Sequence, residues 1–170
     1  MIEVAPDFCE PFVGWRVWLV ADEGDELRLR SVVFSVPWPT REPMTASCLR
    51  RRVNVLPWRR QAPHEAPLAR CDCGIYGSTL DRIRGYLDGR FDGKRVHRVL
   101  GRVSLWGTVV ECAWGWRASL AYPERIYVPA WTARSGLPPE EVALSLTDYG
   151  VPIELLDGVP PEHAVEQLAA

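Results

Sequence analysis

Side-chain character alternates residue by residue in two separate stretches of this chain, and a chain that does so twice is committed to building a sheet. In residues 12–20, FVGWRVWLV, Val13, Trp15, Val17 and Leu19 fall on one face and a mixed set including Arg16 and Trp18 on the other, which is the period of a strand. ADEGDE at 21–26 supplies a polar turn. LRLRSVVFSV at 27–36 then resumes, with apolar positions that change parity between Leu29 and Val32, and a bulge near Ser31 explains the change. The second stretch is VHRVLGRVSLWGTVVEC at 96–112, β-branched and interrupted by Gly101 and Gly107. WRASLAY follows at 116–122, with Trp116, Ala118, Leu120 and Tyr122 set against Arg117, Ser119 and Ala121. A turn near Ala113 to Gly115 makes these a second hairpin, and Arg125 to Val128 adds a short strand. Gly-Trp-Arg opens a strand in each half, at 14–16 and 115–117, which hints at a duplicated hairpin.

Helical spacing is confined to short pieces. STLDRIRGYLD at 78–88 puts Leu80, Ile83 and Leu87 on one face behind Ser78 as N-cap, with Gly89 past the end. Pro138 and Pro139 open a helix through Val142, Leu146 and Tyr149 to Gly150. VPIELL suits a strand or a short helix, and Pro160 and Pro161 start a last amphipathic turn or two. The expected fold class is therefore α+β: an antiparallel sheet or partly closed barrel with a few short helices and a helical C-terminus. A chain of 170 residues suits one domain. Residues 1–134 form its strand-rich core, with a long Pro/Arg-rich loop at 37–70, and residues 135–170 form an acidic helical extension packed on the same domain.

No run approaches the roughly 20 apolar residues of a membrane span, and MIEVAPDFCE lacks the features of a signal peptide. The expectation is a cytoplasmic protein with no membrane partner. In that reducing setting the five cysteines (Cys9, Cys48, Cys71, Cys73 and Cys112) point to metal binding or plain burial rather than disulfides.

The most specific chemical pattern is Cys48, His64, Cys71 and Cys73, spaced C-x15-H-x6-C-x-C. Zinc takes four nitrogen or sulfur ligands in a tetrahedron, and a Cys3His set closes that shell without water, which makes a structural zinc the expected cofactor. It would also tie down the segment from Pro37 to Arg70, where six prolines erase any helical or alternating period. C-x-C needs a bent backbone for both sulfurs to converge, and Gly74 beside Cys73 permits the bend. The competing reading is burial without metal. A zinc deaminase is a minor alternative, because its H-x-E and P-C-x-x-C pattern is not met: Glu65 directly follows His64 and the two cysteines stand one residue too close.

Charge is distributed unevenly. Residues 1–26 carry seven acids and one Arg, and residues 135–170 carry seven acids and no basic residue, so the middle holds a net +11 within a chain of net charge -2. Of its basic residues only Lys94 is a lysine. Arginine's planar fork suits phosphate, although a G+C-rich genome produces the same bias. The excess concentrates in Arg41, Arg50, Arg51, Arg52, Arg59 and Arg60, interleaved with Trp38 and Trp58 and opposed only by Glu42. Arginines neutralise phosphates and exposed indoles stack on unpaired bases, so these eight residues are the candidate contact set for nucleic acid or another polyanion. Two other readings stand beside it: a solvated loop anchored by its tryptophans, or arginines paired with the acidic ends of the same chain.

The aromatics of 105–123 sit at strand spacing and are expected in the core. Glu111 and Arg117 flank the turn and either pair across it or face a pocket, and the isolated His97 and His163 are expected at the surface. No phosphate-binding glycine loop, dinucleotide fingerprint, nucleophile elbow or H-E-x-x-H motif is present, and no nucleophile-base pair is legible, so the reading leans away from an enzyme.

CDCGIYG at 71–77, VLGRVSLWGTVVECAWGWRASLAYP at 99–123 and the earlier GWRVW resemble a group of uncharacterised actinobacterial and phage-associated proteins. These share C-x-C-G-[IV]-Y and L-W-G-x-V-x-E-x-x-x-G-[WY]-R-A-x-x-A-Y-P. The resemblance covers residues 12 to 128 and implies a common fold and a bacterial cytoplasmic setting, with nothing catalytic. Where the group often has a histidine after the glutamate, this chain has Cys112. The functional expectation is a small recognition module, zinc-stabilised, that binds nucleic acid or another polyanion. A structural or regulatory protein that meets a protein partner through its acidic C-terminal helices is the alternative, and an unrecognised enzyme comes third.

Overall fold

The computed structural model describes residues 10–24, 26–48, 64–88, 92, 95–130 and 136–170. Seven strands form one sheet: β1 (Phe12–Glu23), β2 (Glu26–Ser31), β3 (Met44–Thr45), β4 (Ile75–Ser78), β5 (His97–Cys112), β6 (Gly115–Pro129) and β7 (Ile153–Leu156). Among the described residues, two short α-helices, α1 (Pro139–Ser145) and α2 (Ala164–Ala169), are accompanied by 3₁₀ turns at Leu80–Tyr86, Thr147–Tyr149 and Pro161–His163. Among the described residues no helix is long and apolar enough to cross a membrane.

Both expected hairpins form and belong to the same sheet. β5 and β6 pair antiparallel from Leu100↔Tyr127 to Cys112↔Gly115, with register shifts at Arg102/Val103 and Trp106/Val109 that bend the ribbon. The strand expected at Arg125 to Val128 is the continuation of β6. β1 pairs antiparallel with β2 on one side and with β5 on the other, from Phe12↔Leu105 to Val20↔His97. β2 does not bulge through Ser31 but ends there. The chain turns at Val32 to Phe34 and returns so that Trp38 donates its N–H to the Leu29 carbonyl at 2.8 Å. The parity change in the sequence marked a strand end.

Both faces of β1 are covered. Trp18 and Val20 enter the larger core with Leu29, Val99, Val103, Leu105, Ala118 and Ile126, capped by Val142 of α1 and by Leu146. Val17 points the other way with Leu100, against Ile83 of the first 3₁₀ segment, Leu87 at its C-cap, and Ala164 and Val165 of α2. Trp18 and Trp38 meet edge to face at 5.5 Å, a geometry worth about 0.5–1.5 kcal/mol beyond the area it buries. The segment at 80–86 is 3₁₀ rather than α, and Thr79 rather than Ser78 stands at its N-cap.

The expected helical C-terminus is only partly helical. α1 has seven residues and α2 six, and VPIELL between them contributes β7, which runs parallel to β6 from Ile126↔Ile153 to Pro129↔Leu156. Tyr149 locks this region to the sheet. Its hydroxyl donates to the Trp38 carbonyl at 2.9 Å and accepts the Leu29 N–H at 3.1 Å, and burial pushes the phenol up to about 12.

The repeated Gly-Trp-Arg tripeptides hold β4 from opposite sides. Trp15 pairs with Ser78 on one side, while Gly115, Trp116 and Arg117 pair with Ser78, Gly77 and Tyr76 on the other. A Cβ at Gly14 would lie 2.8 Å from the Gly77 carbonyl carbon and one at Gly115 only 2.1 Å from the Gly77 oxygen, so β4 passes where both neighbours have no side chain. Each tripeptide's arginine then reaches inward to a carbonyl of the 71–76 segment.

His97 was expected at the surface and is 2% exposed. Its Nε2–H donates to the Pro129 carbonyl at 3.1 Å, and its Nδ1 is buried without a partner. Protonation would bury an unpaired N–H and a charge, so burial lowers the pKa from 6.5. A histidine held neutral contributes stability that is complete above its unfolded pKa and lost as pH falls through the folded one. Thermal melts below about pH 6.5 should therefore show a loss of up to about 1.4 kcal/mol per pH unit from this group. His97→Gln, which keeps a donor for Pro129, should lose correspondingly less; identical pH profiles would refute this role.

Candidate metal centre

Cys48, His64, Cys71 and Cys73 converge. One ligand atom from each lies within 4.8 Å of all the others, and the group could hold a metal ion. Cys48 follows β3, which is paired to Leu120 and Ala121 of β6, and Cys71 and Cys73 immediately precede β4, which is paired to residues 115–118 of the same strand. β6 is thus the common floor. Gly74, directly after Cys73, takes φ +121, a conformation that favours glycine, and a Cβ there would approach Pro67 Cβ at 3.0 Å and Arg117 Cβ at 3.1 Å, so the chain leaves the cluster for β4 through a point closed to a side chain.

The Sγ atoms of Cys48 and Cys71 are 3.8 Å apart, and Cys73 Sγ is 3.4 Å from His64 Nε2. A disulfide needs about 2.05 Å, and all four described cysteines are free. Cys71 and Cys73 are buried with Ala66 in a small cluster distinct from the two sheet cores. Burial raises the Cys71 thiol, but hydrogen bonds from the Cys73 backbone N–H and from Cys73, Cys48 and His64 outweigh it and bring the thiol to about 7. Cys73 moves upward, from burial first and from the neighbouring sulfurs second. Thiolates this close repel one another, and a cation bound among them relieves that repulsion.

Arg117 sits beneath the cluster, 6% exposed. Its Nη1 donates to the carbonyls of both Cys71 and Cys73, the latter at 2.9 Å, and its Nε donates to Cys112 Sγ at 3.2 Å. The expected alternatives for this residue resolve plainly. Glu111 is exposed and stands opposite Trp116, not Arg117. The signal that could have found Arg117 was the tripeptide repeat, since its partner Arg16 is also turned inward.

The expected polyanion contacts fare differently. Trp38 is 1% exposed, with its indole N–H donated to Ser31 Oγ at 3.0 Å, so its ring belongs to the core and is closed to a base. Arg41 is exposed, takes φ +61, and meets Asp148 of the acidic C-terminal segment at 3.7 Å. Arg50, Arg51, Arg52, Trp58, Arg59 and Arg60 lie outside the described residues. Trp114, expected in the core with its aromatic neighbours, is 57% exposed at the β5–β6 turn and carries the Arg82 guanidinium 3.4 Å from its ring centroid. Its place inside the predicted turn, where no side chain keeps strand register, was the clue.

No family model, curated protein or solved structure matches the chain.

Proposed function

We propose that the protein is a recognition module in which a structural zinc at Cys48, His64, Cys71 and Cys73 pins both ends of an arginine-rich segment that contacts nucleic acid or another polyanion. The observation that carries this reading is the convergence of Cys48 and His64, because the residues between them include Arg50, Arg51, Arg52, Arg59 and Arg60 and no acid. Zinc bonds of about 2.3 Å to sulfur and about 2.0–2.1 Å to nitrogen, set at tetrahedral angles, put sulfurs about 3.8 Å apart and sulfur about 3.6 Å from nitrogen. The spacings of 3.8 and 3.4 Å suit that metal. Three thiolates and a neutral imidazole around Zn²⁺ carry one net negative charge, which accounts for a buried arginine at the floor of the site. A closed four-ligand shell leaves no position for a substrate, so the zinc serves the fold and the arginines serve the ligand.

Fluorescence anisotropy with a single-stranded oligonucleotide, repeated over a range of salt, tests the binding. The wild type should bind tightly at low salt and weaken steeply as salt rises. Converting Arg50, Arg51 and Arg52 to Ala should flatten the log-log slope by about 2, at about 0.7 for each phosphate that the variant leaves unneutralised. No binding at low salt, or an unchanged triple variant, would remove this function. The protein-partner alternative would then lead, supported by Leu144, which is 71% exposed on α1 beside the acidic residues Glu140 and Glu141.

A further inference from the structure

A cavity of about 450 Å³ opens beside β1, within the size range of small-molecule sites. Its position follows from the sheet. Along one edge β1 pairs with β2 from Trp18 onward and with β4 only at Trp15, so Arg16 and Val17 stand at a gap between two strands. Arg16 spans it, donating from Nη1 to the Tyr76 carbonyl of β4 at 2.6 Å and from Nη2 to Ser31 Oγ of β2 at 3.2 Å. Its guanidinium lies over the Trp38 ring at 5.1 Å.

The rest of the wall is largely apolar: Val32, Phe34 and Met44 on one side, Ile83 and Tyr86 on the other. Four large side chains around this opening are exposed: Val33 at 68%, Phe34 at 59%, Tyr86 at 49% and Tyr76 at 41%. Apolar side chains left in water around one concavity mark a surface that is covered in use. Among the described residues the charge of Arg16 is unanswered. Arg16 Nε is fully buried with no hydrogen-bond partner, and among the described residues no carboxylate forms an ion pair with this guanidinium. Desolvation pulls its pKa down to about 10, the mark of a buried cation without a counter-charge. Asp72 also lines the cavity and is exposed, whereas Arg16 is half-buried.

We infer that this cavity binds a small amphipathic anion, a carboxylate on an apolar body, with Arg16 as its counter-charge and the walls around Phe34 and Ile83 enclosing the chain. Nη1 and Nη2 of Arg16 each keep a second N–H beyond their bonds to Tyr76 and Ser31, and a carboxylate can accept one from each, while the apolar lining rejects a ligand that is charged throughout. This site is separate from the arginine-rich segment and stands whether or not that segment binds a polyanion.

Isothermal titration of the metal-loaded full chain with octanoate, and in parallel with 1-octanol, tests it. Octanoate should bind saturably at about one per chain, and octanol should bind about tenfold more weakly or worse, since it lacks the charge that Arg16 answers. Arg16→Gln should lose about tenfold in octanoate affinity while leaving octanol unchanged. Phe34→Ser, at an exposed position where folding is not at stake, should weaken both. Absence of saturable octanoate binding, equal affinity for octanol, or octanoate affinity unchanged in both variants would overturn the assignment. A tetrapeptide with a free C-terminal carboxylate that outcompetes octanoate would also overturn it, in favour of a protein tail as the ligand.

Discussion

Replacing Cys71 or Cys73 with serine is expected to remove the bound metal, from about one zinc per chain to none, and to lower the melting temperature by about 6–12 °C. The size follows from what the metal holds. Zinc-finger peptides gain about 10–16 kcal/mol from their metal because nothing else folds them. Here the sheet has two cores of its own, and the ligands bury a third, smaller cluster. Only the ordering of that cluster depends on the ion, so about 3 kcal/mol is expected, at about 2–4 °C per kcal/mol for a chain of this length. Elemental analysis of the purified protein gives the stoichiometry and calorimetry gives the shift. Chelation should bring the wild type down to the variants and leave the variants unmoved. Wild-type protein that is metal-free, or that melts at the same temperature with and without chelator, would end the zinc reading.

Arg117→Met is expected to cost about 3–5 kcal/mol and to weaken zinc binding by about 10–100-fold. The methionine fills much of the volume but leaves the Cys71 and Cys73 carbonyls without the donor they share and the metal centre without its counter-charge. Arg117→Lys should rescue only part of the loss, since an ammonium cannot serve both carbonyls and Cys112 Sγ from one planar fork. Denaturant melts read the first effect, and competition with a chromophoric chelator reads the second. A control at Arg102, whose exposed pair with Glu124 spans 3.2 Å, should stay within about 1 kcal/mol of wild type. Zinc affinity that survives Arg117→Met within twofold would mean the arginine supports the sheet and not the metal.

The sequence made the long elements legible and the contacts between them much less so. β1, β5 and β6 were readable because alternation sustained over many residues suits a strand and little else, and the cysteine-histidine set was readable because its residue types have few other uses. Ser31 misled because a strand end and a bulge both shift parity, and only the return of Trp38 to Leu29 separates them. His97 and Trp38 misled for a shared reason. A polar ring and a ring beside prolines look like surface until a partner across the fold is known: Pro129 takes the Nε2–H of His97, and Tyr149 with Ser31 answers Trp38. β7 reads equally as strand or helix because four residues cannot display a period, and its parallel pairing to β6 is a tertiary choice. Arg16 was visible only as an odd charge on an apolar strand. Its meaning depends on a gap between β2 and β4 that no local pattern encodes.

The clasp on β4 also sets a hierarchy of opening. Residues 64–73 are held by the small cysteine cluster, by whatever ion it binds and by the Arg117 bonds to the Cys71 and Cys73 carbonyls, with no strand ladder to the sheet, so they are expected to open before the long strands part. That event stops at Gly74. The next four residues are laddered to β6 and bridged to β1, with Gly77 packed against Gly14 and Gly115, and releasing them means separating the long strands themselves. Amide hydrogens up to Cys73 therefore belong to one cooperative unit and those of β4 to another, and a single glycine divides the part of the molecule that breathes from the part that must unfold.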